Sequence, residues 1–218
     1  MGNYTEFWAS NQPSVQPPGI DLDDHAPYLL AKYRLPAVWL ALFDVDDLQV
    51  FSDLRDKDSL EVHLASPRDV ASRRLAQRSD WLLHRFPSLQ PEWLAQFQGW
   101  IDGMPEAYVH LATMDVASMS FGAGEWAEEL PRILRMFDEP PVAEPATSEP
   151  PAPSGGVLRS FARWWRGAAR EASASKEPTG WDRYSRQFLD PDLADSPAAW
   201  AYLGGNGSDK PVPWDSGD

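Results

Sequence analysis

A chain of 218 residues, 43% hydrophobic and 12% aromatic, has ample apolar surface for a packed core and fits one domain, with or without an appendage. It contains no cysteine, which excludes disulfides, thiolate metal sites and cysteine nucleophiles. Its net charge of −14 makes nucleic acid and anionic lipid poor partners and favours a basic one.

The N-terminus, MGNYTEFWASNQP, lacks the basic start and apolar core of a secretory signal, and no window approaches a membrane-spanning run, so a cytoplasmic location is expected. YTEFWAS (4–10) alternates like a strand and QPSVQPPG after it reads as a loop. Asp23 or Asp24 is placed to cap a short helix through Tyr33. PAVWLALF (36–43) is apolar throughout; periodicity does not decide between strand and helix, and either would be buried. LEVHLAS (60–66) predicts a strand, followed by a helix over 67–86. A second helix, 90–103, opens on Pro91 and stops at Gly103. AYVHLAT (107–113) is a further strand, and a helix over 122–137, bent or interrupted at Pro131, closes the body.

The expected class is therefore α+β, a small mixed sheet packed by helices, over residues 1–138. Residues 139–155 are proline-rich with few large apolar side chains, the composition of an extended linker. Residues 156–218 are expected to hold a basic amphipathic helix, with Arg159, Arg163, Arg166 and Arg170 in a stripe, and an aromatic-bearing tail that packs on the body. The stripe is better explained by acidic neighbours than by a membrane, because the rest of the chain would repel a polyanion.

One internal echo stands out: VHLASPRDVAS (62–72) against VHLATMDVAS (109–118), each reading as strand, turn and capped helix start. It places His63 and His110 at equivalent strand positions, where with Asp69 or Asp115 they would make a metal site; a strand histidine more often bonds a neighbour. No metal or other cofactor is expected.

The apolar run ending in Asp44-Val45-Asp46 is similar to the first motif of haloacid-dehalogenase-type phosphatases, in which one Asp attacks phosphorus and the next shuttles the proton. Ser66 or Thr113 would supply that family's second motif. After Lys57, however, no apolar strand ends in the acidic pair that would hold magnesium. The alternative is that Asp44 caps a helix whose first turn carries Asp46 and Asp47. No glycine-rich phosphate loop, HExxH or GxSxG occurs.

FWAS near the start, LPAVWLALFD, VHLASPRDVASRRLAQR, AYVHLATMDVASMSF with a closing acidic helix, and PVPW near the end, taken in order, resemble a group of bacterial proteins encoded beside secreted or polymorphic toxins and regarded as their immunity proteins. The resemblance implies a non-enzymatic protein that neutralises a cognate toxin acting in the cytoplasm, and it carries no catalytic residues. Two acid-rich places are then candidate contacts for a basic toxin. One is Asp44, Asp46 and Asp47, continued by Asp53, Asp56 and Asp58; the other is Glu125, Glu128 and Glu129 with Trp126 as an aromatic anchor. Both are expected to be solvated.

Overall fold

The computed structural model describes residues 4–14, 28–32, 34–52, 60–119, 121–138 and Leu203. Five strands form one sheet: β1 (Tyr4–Ser10), β2 (Tyr28–Lys32), β3 (Leu48–Ser52), β4 (Leu60–Pro67) and β5 (Tyr108–Ala112), in the spatial order β2-β1-β5-β4-β3. Every ladder is antiparallel, in contrast to the mixed sheet expected. The helices are α1 (Ala37–Leu40), α2 (Arg68–Arg85), α3 (Pro91–Asp102), α4 (Met114–Ala117) and α5 (Ala123–Met136), with a 3-10 turn at Val45–Asp47. None is long and apolar enough to cross a membrane, among the described residues.

The α+β class and the three long helices agree with the patterns that predict them. Pro91 sits at the first turn of α3 and Gly103 caps its end, which accounts for its length. Pro131 lies inside α5, which runs from Ala123 to Met136 without a break. Two strands depart from expectation. Residues 28–32 form an edge strand paired with β1, not the last part of a helix capped at Asp23 or Asp24, and those two acids lie outside the described residues. The ladder decides it: Leu29 faces Phe7 and Ala31 faces Thr5, so both apolar side chains reach the core only in extended backbone. The other is β3, which has no counterpart among the expected elements.

Period-two alternation gives the sheet two unlike faces. Thr5, Phe7 and Ala9 of β1, Val62 and Leu64 of β4, and Val109 and Leu111 of β5 point into a core shared with the helices. Leu75 and Leu82 of α2, Leu94, Phe97 and Ile101 of α3, and Trp126, Leu130, Ile133 and Leu134 of α5 fill it. The run 36–43 is helix and turn and is buried throughout its apolar length, with Trp39 packed on Phe7 at 5.6 Å between ring centroids. Of the linker, basic helix and tail, only Leu203 is described. It is buried in the core, and its carbonyl accepts a 2.8 Å hydrogen bond from Trp39 Nε1.

Candidate functional site

Helix α1 delivers the chain to Asp44, where a cap begins. Asp44 Oδ1 accepts from Val45 N at 2.7 Å, while Asp47 Oδ2 accepts from Asp44 N at 2.9 Å, the reciprocal arrangement of a capping box on the 3-10 turn. Two arginines of α2 close over it. Arg74 pairs with Asp47 and lies 4.0 Å from Asp44 Oδ2; Arg78, at the same 4.0 Å from Asp44, reaches Asp138 at 2.7 Å. Burial pushes the Asp47 carboxyl up, against the opposing pull of the Asp44 backbone and of Arg74.

The phosphatase motif needs a nucleophilic carboxylate at the end of a parallel strand. Here the preceding run is helical, the sheet is antiparallel, and Asp44 is held between a backbone amide and two guanidinium groups. The second-motif hydroxyls are engaged as well. Ser66 accepts from Arg74 at 3.0 Å, and Thr113 donates to the Val62 carbonyl while accepting from Trp126 Nε1 at 2.8 Å.

The acidic candidates divide. Asp46 is exposed and Asp44 half-exposed, as are, fully, Glu125 and Glu128 on the outer side of α5. Asp53, Asp56 and Asp58 lie outside the described residues. Asp47 is inside the cap, and Glu129 is buried with Arg132 at 3.1 Å, so neither is solvated as expected. Trp126 is the clearest correction: it is 0% exposed, lies 5.2 Å from Phe121 between ring centroids, and sits on the inner face of α5. Its neighbours in sequence are acidic, but its spacing to Leu130, Ile133, Leu134 and Phe137 is that of a helix's buried stripe. The 3-10 turn packs against α5, and Arg78 joins Asp44 to Asp138 just beyond the end of that helix. The turn bearing one acid-rich place thus packs on the helix bearing the other.

A second cluster lies on the opposite sheet face, which carries no helix among the described residues. Trp8, opposite His110 in the β1–β5 ladder, stacks flat on it with ring centroids 5.3 Å apart and planes 10° apart. His63 meets the same indole edge-on at 6.3 Å and Phe51 at 6.0 Å. Residues 11–14 cross this face: Asn11 Oδ1 accepts from Ala107 N, and the Pro13 carbonyl accepts from Gln49 Nε2 at 3.0 Å. At its edge Tyr28 hydrogen-bonds Glu6, and burial together with that carboxylate holds the phenol far above its ordinary range.

Ser10 Oγ and His110 Nε2 are 2.8 Å apart, a contact between residues 100 apart in sequence that no motif announces. A serine nucleophile would give its proton to the imidazole, with Nδ1 fixed by a carboxylate. Here the hydroxyl donates to the Gln12 carbonyl, accepts from Gln12 N at 3.1 Å, and His110 Nδ1 has no partner. The pair latches residues 11–14 to the sheet. Because the serine proton is already given to Gln12, Nε2 is assigned as the donor between them.

His110 is 1% exposed, and burial above all lowers its pKa to about 4; a backbone contact with Gln12 pulls the other way, and the charge of His63 adds to the fall. The unfolded ring takes its proton near 6.5, so stability is full above that pH and is lost as the pH falls toward 4. The loss at pH 5 is expected to be about 2 kcal/mol. Urea midpoints at pH 7 and pH 5 would read it, and His110→Gln should flatten the difference; an equal slope in that variant would refute the assignment.

Asp69, a candidate metal partner for these histidines, pairs instead with Arg73 at 3.0 Å on α2. Among the described residues no group of three or more His, Asp or Glu is arranged to hold a metal ion. The side chain of Asp115 lies outside the described residues. Compared with protein-family models, with curated proteins and with solved structures, the chain finds no match.

Proposed function

We propose that this protein binds and neutralises a basic protein toxin in the cytoplasm, without an enzymatic activity of its own. The observation that carries the reading is the surface formed by the capped turn and α5. Asp46 on the turn and Glu125 and Glu128 on the helix packed against it carry exposed carboxylates, in a chain whose net charge is −14. Such a field speeds encounter with a cationic partner and sets orientation. Asp47, Glu129 and Trp126 leave the contact set, because each is committed to the fold: to Arg74, to Arg132 and to the core.

The test expresses the proteins encoded beside this chain and takes one that arrests growth as the candidate toxin. Co-expression should restore growth. Titration calorimetry at low salt should show a complex that Asp46→Lys/Glu125→Lys/Glu128→Lys weakens by about tenfold or more, mainly by slowing association. The triple variant is chosen at exposed positions so that folding is preserved. Unchanged affinity in a folded triple variant would discard the acidic interface; no protection and no complex would discard the function.

A further inference from the structure

The echoed VHLA segments acquire a geometric meaning once the strands are paired. β4 and β5 run antiparallel with Leu64 opposite Leu111, so His63 lies opposite Ala112 and His110 opposite Ala65. The pair is self-complementary about an axis through the two leucines. On the face away from the described helices the histidines occupy one diagonal and two methyl groups the other. Diagonal positions in such a ladder are about 7–8 Å apart at Cα, within reach of two imidazoles that share one small ligand.

An oxygen lies beside the Nε2 of each ring. Ser10 pairs with Tyr108, on the side of His110 away from His63, and it takes His110 Nε2 at 2.8 Å. Glu61 lies on the side of His63 away from Ala65, and its Oε2 is 3.6 Å from His63 Nε2. The two Nε2 atoms are therefore drawn outward along the strands in opposite directions. The Nδ1 atoms, across each ring, are turned back toward the axis, and both are buried with no hydrogen-bond partner. Gln49, opposite His63 on β3, has its amide nitrogen on Pro13 and leaves Oε1 buried and unpaired too. Trp8, whose ring touches both imidazoles, adds an unpaired indole N–H.

Buried polar atoms are nearly always partnered, so three unpaired acceptors on this face, against a single unpaired indole donor, ask for a ligand that accepts lone pairs. Imidazole nitrogen is the preferred donor for zinc, nickel and copper, and an oxygen partner on the far nitrogen is how ligating histidines are held in place. We propose that His63 and His110 bind one divalent transition-metal ion of this class through their Nδ1 atoms, with Gln49 Oε1 as a neutral third donor and water completing the shell. The indole N–H of Trp8 suits an oxygen carried by the ion. Burial keeps the His110 ring neutral at physiological pH, so its lone pair is available. With two imidazoles and no carboxylate in the inner shell, the affinity is modest.

Calorimetry of the full chain with NiCl2, and separately with ZnCl2, at pH 7.5 should show one ion bound. Affinity should fall by tenfold or more in His63→Gln and in His110→Gln, while His84→Gln, at an exposed position, leaves it unchanged. Because His110 is buried, its variant is read beside His63→Gln, which is only partly buried, and beside a metal-induced rise in melting temperature that both variants should abolish. Long-range nitrogen NMR should place the protons on Nε2 in both rings before metal is added, and should move both Nδ1 resonances when zinc is added. Absence of saturable binding, or binding that His63→Gln leaves intact, overturns the site.

Discussion

Arg78→Met should destabilise the protein by about 3–5 kcal/mol, the size expected when a buried charged group that serves several partners is removed. The guanidinium is 5% exposed. It donates to the carbonyls of Ala41 and Phe43, at the end of a four-residue helix that has few internal partners for its last C=O groups. It also donates to Asp138 through Nε and Nη2, and lies over the Phe137 ring at 5.5 Å from its centroid. Methionine fills the volume but leaves the Ala41 and Phe43 carbonyls buried without a donor. Arg78→Lys should recover only part of the loss, because one ammonium cannot serve carbonyls and carboxylate in the planar fork. Asp138→Asn should cost under about 1 kcal/mol, since that partner is largely exposed and its charge is screened. Urea unfolding of the three variants checks the ordering; a methionine variant within about 1 kcal/mol of wild type would mean that the arginine is not what joins α1, α2 and the end of α5.

Ending the chain after Asp138 should cost a comparable amount, about 3–6 kcal/mol. Leu203 is 0% exposed, inside the same cluster as Trp39, and its carbonyl takes the indole N–H at 2.8 Å. The truncation empties a leucine-sized volume and strands a buried donor. Leu203→Ala in the full chain isolates the first term, with an expected loss of about 2–4 kcal/mol. Against a total stability of about 5–15 kcal/mol, either change is large. A chain of residues 1–138 with the urea midpoint of the full protein would refute the idea that the last third of the sequence contributes to this core.

The three long helices are legible in the sequence because each carries a full stripe of apolar positions with its own start or stop signal. Pro91 and Gly103 bracket α3 to within a residue. The edge strands are not legible. β2 is five residues long and sits beyond Asp23 and Asp24, whose capping signal competes with it; only Phe7 opposite Leu29 makes it a strand. β3 begins directly after the capped turn, inside a stretch whose acids suggest an exposed surface. At Trp126 the sequence carries the answer. Its period with Leu130, Ile133, Leu134 and Phe137 marks the inner face, and only weight given to the neighbouring glutamates puts it outside. The capped turn at Asp44 is readable because its pattern is local. The latch of Ser10 on His110, and the pairing of the two VHLA segments about an axis, depend on register between distant strands, which periodicity does not encode.

The place of β5 in the sheet also bears on how the chain is made. It lies between β1 and β4, so the first two strands and the next two share no ladder until it arrives. Ser10 waits for a partner 100 residues away. At about 5–20 residues per second, synthesis of that span takes roughly 5–20 s, far longer than a hairpin needs to form. During that interval β1 and β4 each present an open hydrogen-bonding edge flanked by apolar side chains. The nascent chain is therefore at its most vulnerable to edge-to-edge association just before Tyr108–Ala112 leaves the ribosome, and chaperone dependence should peak there and fall once the central strand has inserted.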